Sequence, residues 1–328
     1  MVINALDKHK YTYLYTINNL EQTVQLYQTM PHLVSVILLE HEEVFSCFND
    51  KENCILSEVN PDGIPAWKLF SFFFWAMNNN PLGASWTLVP EDYRRLHSEW
   101  DRNTYLGYSI EASCHAHPFV PHIERKKQAY VMSKFTALLH GISGPELAWP
   151  VEFWEAAKAA TGLDLIMGGE HEPHWPEPPA GITNYGALNQ SEFLGHVSHS
   201  QVLIGVGRPA TSPTPYEALC LGVPFINPIL QWDHDNPSDR SKWTAQHWLL
   251  SLEDPPYVYN VFANDQEGFI RAIRDAIATP IDSHVFDWMR TSAVEERVNS
   301  LIHRDWKSEA TALLDRRKNG EEGPLFVL

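Results

Sequence analysis

The residues with the clearest chemical promise lie at positions 201–228, QVLIGVGRPATSPTPYEALCLGVPFINP. Residues 201–206 form a short, apolar, β-branched run, which reads as a buried strand. Gly205 and Gly207 then let the backbone turn and leave room for a ligand, while Pro209, Pro213 and Pro215 stiffen the loop. Thr214-Pro215-Tyr216-Glu217 has the form of a capping box, with Thr214 at N-cap, Pro215 at N1 and Glu217 at N3. A helix therefore starts here, and Gly222 and Pro224 end it. Residues 223–227 read as the next strand. The resulting βαβ unit offers unpaired N–H groups and the positive end of a helix dipole to an anion such as a diphosphate. Units of this kind recur in any α/β domain, and Glu217 can equally serve as a plain cap.

Other clusters offer rival chemistry. Asp233-His234-Asp235 presents hard oxygen ligands at a spacing that can hold a divalent cation, but in an acidic chain and a Pro/Ser/Asp-rich loop it reads as solvated. His171 and His174, with Glu170, Glu172 and Glu177 nearby, suggest zinc, yet Pro173 prevents a helix from presenting both imidazoles. His196 and His199 stand three apart on a helix without a clear third ligand, His115 and His117 flank an alanine, and both pairs read as structural. There is no Gly-x-Ser-x-Gly, no Walker loop and no Gly-x-Gly-x-x-Gly, so hydrolase, kinase and dinucleotide readings have no anchor.

The elements that must position these residues follow from periodicity. Residues 11–17 are aromatic and β-branched and read as a strand, residues 20–30 as a helix with Leu20, Val24 and Tyr27 on one face, and residues 32–39 as a second strand. The aromatic run 70–75 reads as buried. Residues 128–132 form a strand, 149–161 a helix ended by Gly162, 163–167 a strand, 170–181 a Pro-rich surface loop and 190–199 a helix. Residues 266–278 and 288–302 have helical apolar spacing, and the charged tail after Asp315 reads as frayed. The basic patch Arg125-Lys126-Lys127 reads as a solvated face.

Composition bounds the answer. With 328 residues, 44% hydrophobic and 20% charged, the chain has room for two globular domains. The net charge is −17, of which residues 1–135 carry −4 and the rest −13, so a nucleic-acid partner is excluded on electrostatic grounds. Four cysteines, Cys47, Cys54, Cys114 and Cys220, show no metal spacing, and Cys47 and Cys54 suit a small disulfide loop in an oxidising compartment. The first residues lack an apolar signal core, and no run is long enough to span a bilayer.

Gly-x-Gly-x-Pro, Ser-Pro-x-Pro-x-Glu-Ala and Gly-x-Pro-Phe-x-Asn-Pro, in this order, resemble the donor-sugar loop of the N-acetylglucosaminyltransferase V family, the alpha-1,6-mannosylglycoprotein 6-beta-N-acetylglucosaminyltransferases of glycosyltransferase family 18. Collinear segments support the resemblance: Pro81-Leu82-Gly83, Trp86 to Pro90, Asn103 to Tyr108, Thr244-Ala245-Gln246-His247 and Pro256 to Tyr259. The resemblance implies an α/β, GT-B-like fold of two Rossmann-like domains facing a cleft, the first one incomplete. It divides the chain into an acceptor-side domain at 1–125, a nucleotide-sugar domain at 126–310 and a tail at 311–328.

It further implies inverting transfer of GlcNAc from UDP-GlcNAc to the 6-hydroxyl of an α1,6-linked mannose on an N-glycan or glycoprotein, with no cofactor and no metal. Lys134 then stands near the donor phosphates, with Ser133 where the family has glycine. Gly186 and Leu188 fall where a GT-B domain receives uracil. Gly205, Gly207, Ser212, Pro213, Thr214 and Pro215 line the donor loop, Glu217 grips the ribose, and Lys242 and Gln246 complete the seat. Thr211 stands where the family has a second acidic residue. The Golgi lumen is the implied location, with membrane attachment only through an anchor that this sequence does not show. The family's catalytic base comes from the opening part of the first domain, so it maps onto no residue here; Glu40, Glu91 and Glu111 are substitutes that nothing in the sequence separates. A GT-B transferase with another nucleotide sugar or acceptor, and a truncated protein that binds nucleotide or glycan without turnover, remain as alternatives.

Overall fold

The computed structural model describes residues 2–17, 19–96, 102–142, 147–171 and 173–328. The chain divides into two units, Met1–Ser109 with Trp288–Leu328, and Ile110–Asp287. Each is built on parallel strands joined through helices, as the α/β, Rossmann-like expectation requires.

In the first unit α1 (Val2–Lys8) and α2 (Leu20–Thr29) precede β1 (Ile37–Glu40), α3 (His41–Asn49), β2 (Leu69–Phe72), β3 (Thr87–Val89) and β4 (Thr104–Tyr105). The four strands pair in that order, all parallel. Helix α2 starts where the Asn19 side chain accepts the Gln22 N–H at 3.1 Å, and it buries Val24 and Tyr27 one turn apart. Residues 11–17 form no strand, contrary to their propensity: no strand among the described residues pairs with them, and Ile17 is 87% exposed. The second expected strand shortens to β1 because residues 31–33 turn back, with the Leu33 N–H on the Met30 carbonyl. In the aromatic run, Phe70 is buried but Phe72 faces outward. Cys47 and Cys54 are bonded, as their spacing suggested.

The second unit begins with α4 (Glu111–His115). It continues through β5 (Gln128–Met132), α5 (Glu152–Thr161), β6 (Asp164–Met167), β7 (Ile182–Asn184), α6 (Gln190–Ser198), β8 (Val202–Gly205), α7 (Thr214–Cys220), β9 (Phe225–Gln231), β10 (Thr244–Ala245), β11 (Val258–Phe262) and α8 (Gln266–Ala278). The sheet runs β10-β9-β8-β5-β6-β7, with β11 also pairing β9, and only β10 is antiparallel. Strands β5 and β8 are buried along their whole length, as strands covered by helices on both faces must be. Gly162, at φ 70°, ends α5, and Asp265 caps α8 through the Gly268 N–H at 2.8 Å.

Helices α9 (Thr291–His303) and α10 (Trp306–Lys318) return to the first unit. Val294, Val298, Leu301, Trp306, Ala310 and Leu313 share its core with Phe70, Trp86 and Leu88. The expected division at 125/126 is therefore corrected to 109/110 and 287/288, and 288–310 does not belong to the nucleotide-side domain. Residues 311–328 are not a free tail either. Leu313 and Leu314 are buried, and Arg317 Nη2 donates to the Pro81 carbonyl at 2.9 Å, because one narrow apolar stripe survives on an otherwise charged helix. No helix among the described residues is long and apolar enough to cross a membrane.

Trp306 meets Phe70 edge-on at 4.7 Å and Trp86 at 5.4 Å, and its indole N–H donates to the Leu301 carbonyl at 2.8 Å. Trp306→Ala is expected to destabilise the first unit by about 3–5 kcal/mol. Urea unfolding followed by tryptophan fluorescence checks this, and an unmoved midpoint contradicts the placement of α10 in that core.

Candidate functional site

The chain lays down β5, β6 and β7 outward in one direction, then returns through α6 to place β8 on the other side of β5. Strand order reverses between β5 and β8, and such a reversal opens a crevice at the carboxyl ends of the two strands. Residues 133–135 leave β5 there and residues 206–213 leave β8. The Ser212 hydroxyl meets the Met132 sulfur at 3.9 Å, so the second loop folds back over the end of β5.

The 206–213 loop is held from beneath. The Trp149 indole N–H, stacked on Phe269, donates to the Gly205 carbonyl at 2.6 Å. A side chain at Gly205 would meet Pro228 Cδ at 2.8 Å and the Ile226 carbonyl at 3.0 Å, so only glycine fits. Gln246, 1% exposed, accepts the Gly207 N–H at 2.8 Å and donates to the Pro209 carbonyl at 3.2 Å, while its own carbonyl accepts the Thr211 N–H at 2.8 Å. Gln246 thus shapes the loop from inside, and its amide does not face the crevice. Thr211 sits at φ 48°, a region that β-branched residues rarely occupy, with its hydroxyl buried and without a hydrogen-bond partner among the described residues.

The capping box does not form. Pro213, not Thr214, is the N-cap of α7, and no side chain caps the helix. Pro213 and Pro215 carry no N–H, which thins the amide donors of this turn. Glu217 turns elsewhere: 6% exposed, its Oε1 accepts from Ser113 Oγ and from Gln190 Nε2, both at 3.0 Å. Burial raises its pKa above the usual carboxylate range, and the two donations partly offset that. Gly222 at φ 75° follows the end of α7, as its position suggested.

Arg125 corrects the solvated-patch expectation. It is buried, and its guanidinium donates to the carbonyls of Leu221 at 2.9 Å, Gly222 at 2.6 Å and Val120 at 2.9 Å, a cation on the carboxyl end of α7. Burial lowers its pKa to about 10. Lys126 and Lys127 are exposed as expected.

Lys134 stands exposed at the end of β5 and Arg208 exposed on the loop after β8, so cations flank the crevice from adjacent strands. Lys242 is exposed in the turn Arg240–Lys242 before β10, two strands away from β8. On the other side, Asn184 Oδ1 accepts the N–H groups of Gly169 and Gly186, both at 3.0 Å, which fixes the turn at Gly186 (φ 78°). Leu188 packs on Gly168, where any side chain would collide with it. Ser212 and Thr214 are half-buried, Pro213 exposed and Pro215 buried.

The rivals separate. Asp233 spends Oδ1 on the N–H groups of Asp235 and Asn236 in an open loop. His171 contacts Thr136 Oγ1 at 3.1 Å and Glu177 at 3.5 Å, His174 lies against Trp175, and Glu172 is outside the described residues. Among the described residues only Cys114, His115 and Cys220 bring three potential metal ligands together, and the two cysteines are bonded to each other. Glu91 is fully buried and accepts the Tyr108 hydroxyl at 2.7 Å. Glu40 is exposed and, with Glu43 and Phe72, lines a cavity of about 330 Å³ at the end of β1. Glu111 is the first residue of α4.

Sequence reasoning missed Ser113, Gln190, Trp149 and Arg208. The first three touch the site only through tertiary contacts. Arg208 was visible as a cation directly after Gly207.

His247 lies under the loop, fully buried, with Tyr216 edge-on at 4.8 Å, and burial pushes its pKa down to about 3. The unfolded chain takes up a proton below pH ~6.5 that the folded one refuses, so this stability is present above that pH and is lost as pH falls toward 3. Between pH 7 and pH 5, His247 is expected to cost about 2 kcal/mol of stability. Urea titrations at both pH values check this: the difference should shrink by that amount in His247→Gln, and an equal difference in both proteins contradicts it.

A family model described as Glycosyltransferase family 18 matches residues 38–312. Alpha-1,6-mannosylglycoprotein 6-beta-N-acetylglucosaminyltransferase B of Mus musculus is 27% identical over 234 residues, 67% of this chain and 28% of that protein. The corresponding enzyme A of Homo sapiens is 20% identical over 239 residues, 67% of this chain and 30% of that protein. The chain thus matches less than a third of the length of these relatives. The crystal structure of AviGT4, a glycosyltransferase involved in avilamycin A biosynthesis, aligns with 98% of this chain and 89% of its own at 11% identity and a TM-score of 0.48.

Proposed function

Because the chain belongs to glycosyltransferase family 18, we propose that its second unit is the donor half of an inverting N-acetylglucosaminyltransferase that uses UDP-GlcNAc. The acceptor is the 6-hydroxyl of an α1,6-linked mannose on an N-glycan. The observation that carries this reading is the place of the 206–213 loop: the family-like motif lies at the reversal of strand order, where α/β sheets bind nucleotides.

In this reading the diphosphate rests on the loop, and its charge is met by Arg208, Lys134 and the amides that the prolines leave. Cations from two adjacent strands stabilise the leaving UDP as negative charge develops, the task a metal performs in other transferases. Glu217 has Oε1 occupied and Oε2 without a partner among the described residues, so Oε2 accepts the ribose hydroxyls. The turn at Gly186 and Leu188 offers backbone groups to uracil. Lys242, two strands away, is not assigned to the phosphates. The acceptor alcohol needs a carboxylate to take its proton. Of Glu40, Glu91 and Glu111, Glu91 is sealed from solvent, which leaves Glu40 and Glu111 as candidates for that role. The bonded pairs Cys47–Cys54 and Cys114–Cys220 suit an oxidising compartment such as the Golgi lumen.

Isothermal titration tests the seat. UDP and UDP-GlcNAc should bind equally with and without EDTA, and a requirement for Mn²⁺ would return attention to Asp233 and Asp235. Transfer of labelled GlcNAc to a biantennary N-glycan separates an enzyme from a binder without turnover.

Glu217→Ala should weaken UDP by about 1.5–3 kcal/mol, the range for hydrogen bonds to a charged group. The carboxylate is the accepting form and its pKa is raised. UDP affinity in the wild type should therefore start to fall, as pH is lowered, above the ordinary carboxylate range. Glu217→Gln should lack that component, which the difference between the two pH profiles isolates. Identical profiles and affinities in folded variants leave Glu217 a structural residue.

A further inference from the structure

Helix α4 is five residues long, too short to hold itself, because the first hydrogen-bonded turn of a helix is costly to form. It nevertheless delivers Ser113 onto the buried carboxylate of Glu217. The residue after Ser113 explains how. Cys114 is bonded to Cys220, and both are 2% exposed. Cys220 closes α7 three residues after Glu217, so the two share one face of that helix. Joining Cys114 to Cys220, with Cα atoms 6.2 Å apart, therefore fixes its neighbour Ser113 across from Glu217. At this same carboxyl end of α7, Arg125 holds the carbonyls of Leu221 and Gly222, so α7 is anchored independently of the bond and α4 is the part that the bond secures.

We infer that the Cys114–Cys220 disulfide is a positioning device for nucleotide binding, keeping the Ser113 hydroxyl on Glu217 Oε1 so that the carboxylate presents Oε2 to the ribose. The inference rests on the proposed role of Glu217 in the donor seat. Ser113 Oγ has one proton and two acceptors within reach, the Ile110 carbonyl at 2.9 Å and Glu217 at 3.0 Å. With the bond in place the ionised carboxylate wins, since a charged acceptor makes the stronger hydrogen bond. Once α4 drifts, the hydroxyl turns to its own helix and Glu217 keeps only Gln190.

The test is a cycle of Ser113→Ala, Cys114→Ala/Cys220→Ala and the triple variant. UDP affinity is measured by titration, and the Glu217 titration midpoint by carboxyl ¹³C NMR. Each of the first two proteins should bind UDP about tenfold more weakly, the worth of one hydrogen bond to a charged group. Each should also show a higher Glu217 midpoint, because the donation lost is one that holds the pKa down. The triple variant should be no worse than either. Additive losses, or a cysteine pair whose removal leaves affinity and midpoint unchanged, overturn the inference. Should the cysteine variant not fold, Ser113→Ala with the disulfide intact decides: a wild-type affinity and midpoint overturn it, and a weakened affinity with a raised midpoint supports it. If Glu217→Ala itself binds UDP as the wild type does, the donor reading fails before the disulfide is in question.

Discussion

The reversal of strand order between the parallel strands β5 and β8 is the constraint on which the rest depends. Two parallel strands that lead to opposite halves of a sheet cannot have their following loops packed over each other, and the gap they leave is lined by backbone and by whatever the loops carry. Here the loop after β8 is long and proline-stiffened, and it is pinned by Trp149 and Gln246 rather than by regular structure. Its conformation is imposed by the core of the second unit. That is why Thr211 can be kept at an unfavourable φ and why glycine is required at 205.

Electrostatics makes the local arrangement matter. Residues 136–328 carry a net charge of −13, so the field of this region repels a nucleotide diphosphate. In the proposed donor seat the attraction has to come from nearby groups: Lys134 and Arg208 on adjacent strand ends, and the few N–H groups that Pro213 and Pro215 spare. The buried cation Arg125 sits at the opposite end of α7, on the carbonyls, where it complements the helix dipole. In the proposed seat, a buried glutamate among neutral donors is the counterpart of this scheme, since a ribose would offer hydroxyls and not charge.

Much of this was legible in the sequence. Strands β5, β6, β8 and β9 and helices α5, α6 and α8 announced themselves through apolar runs, glycine stops and helical spacing, because each is buried by its own unit's core. The motif at 205–217 was visible because glycine and proline act locally. What stayed hidden was tertiary. Residues 11–17 had strand chemistry and, among the described residues, no strand to pair with. The capping-box pattern at Thr214–Glu217 gave way to Ser113 and Gln190, partners 104 and 27 residues away. Helices α9 and α10 follow the second unit in sequence but complete the first one's core, a return that no local pattern encodes. Arg125 looked solvated among charged neighbours because nothing nearby in sequence foretells the carbonyls it caps.

Hydrogen–deuterium exchange with and without UDP tests the central claim most directly, since it reports where the nucleotide sits without assuming any residue's role. Protection concentrated in the segments leaving β5 and β8 and in the turn at Gly186 is the expected result. Protection at residues 231–240, or none anywhere at saturating UDP, would contradict a nucleotide seat at the reversal of strand order.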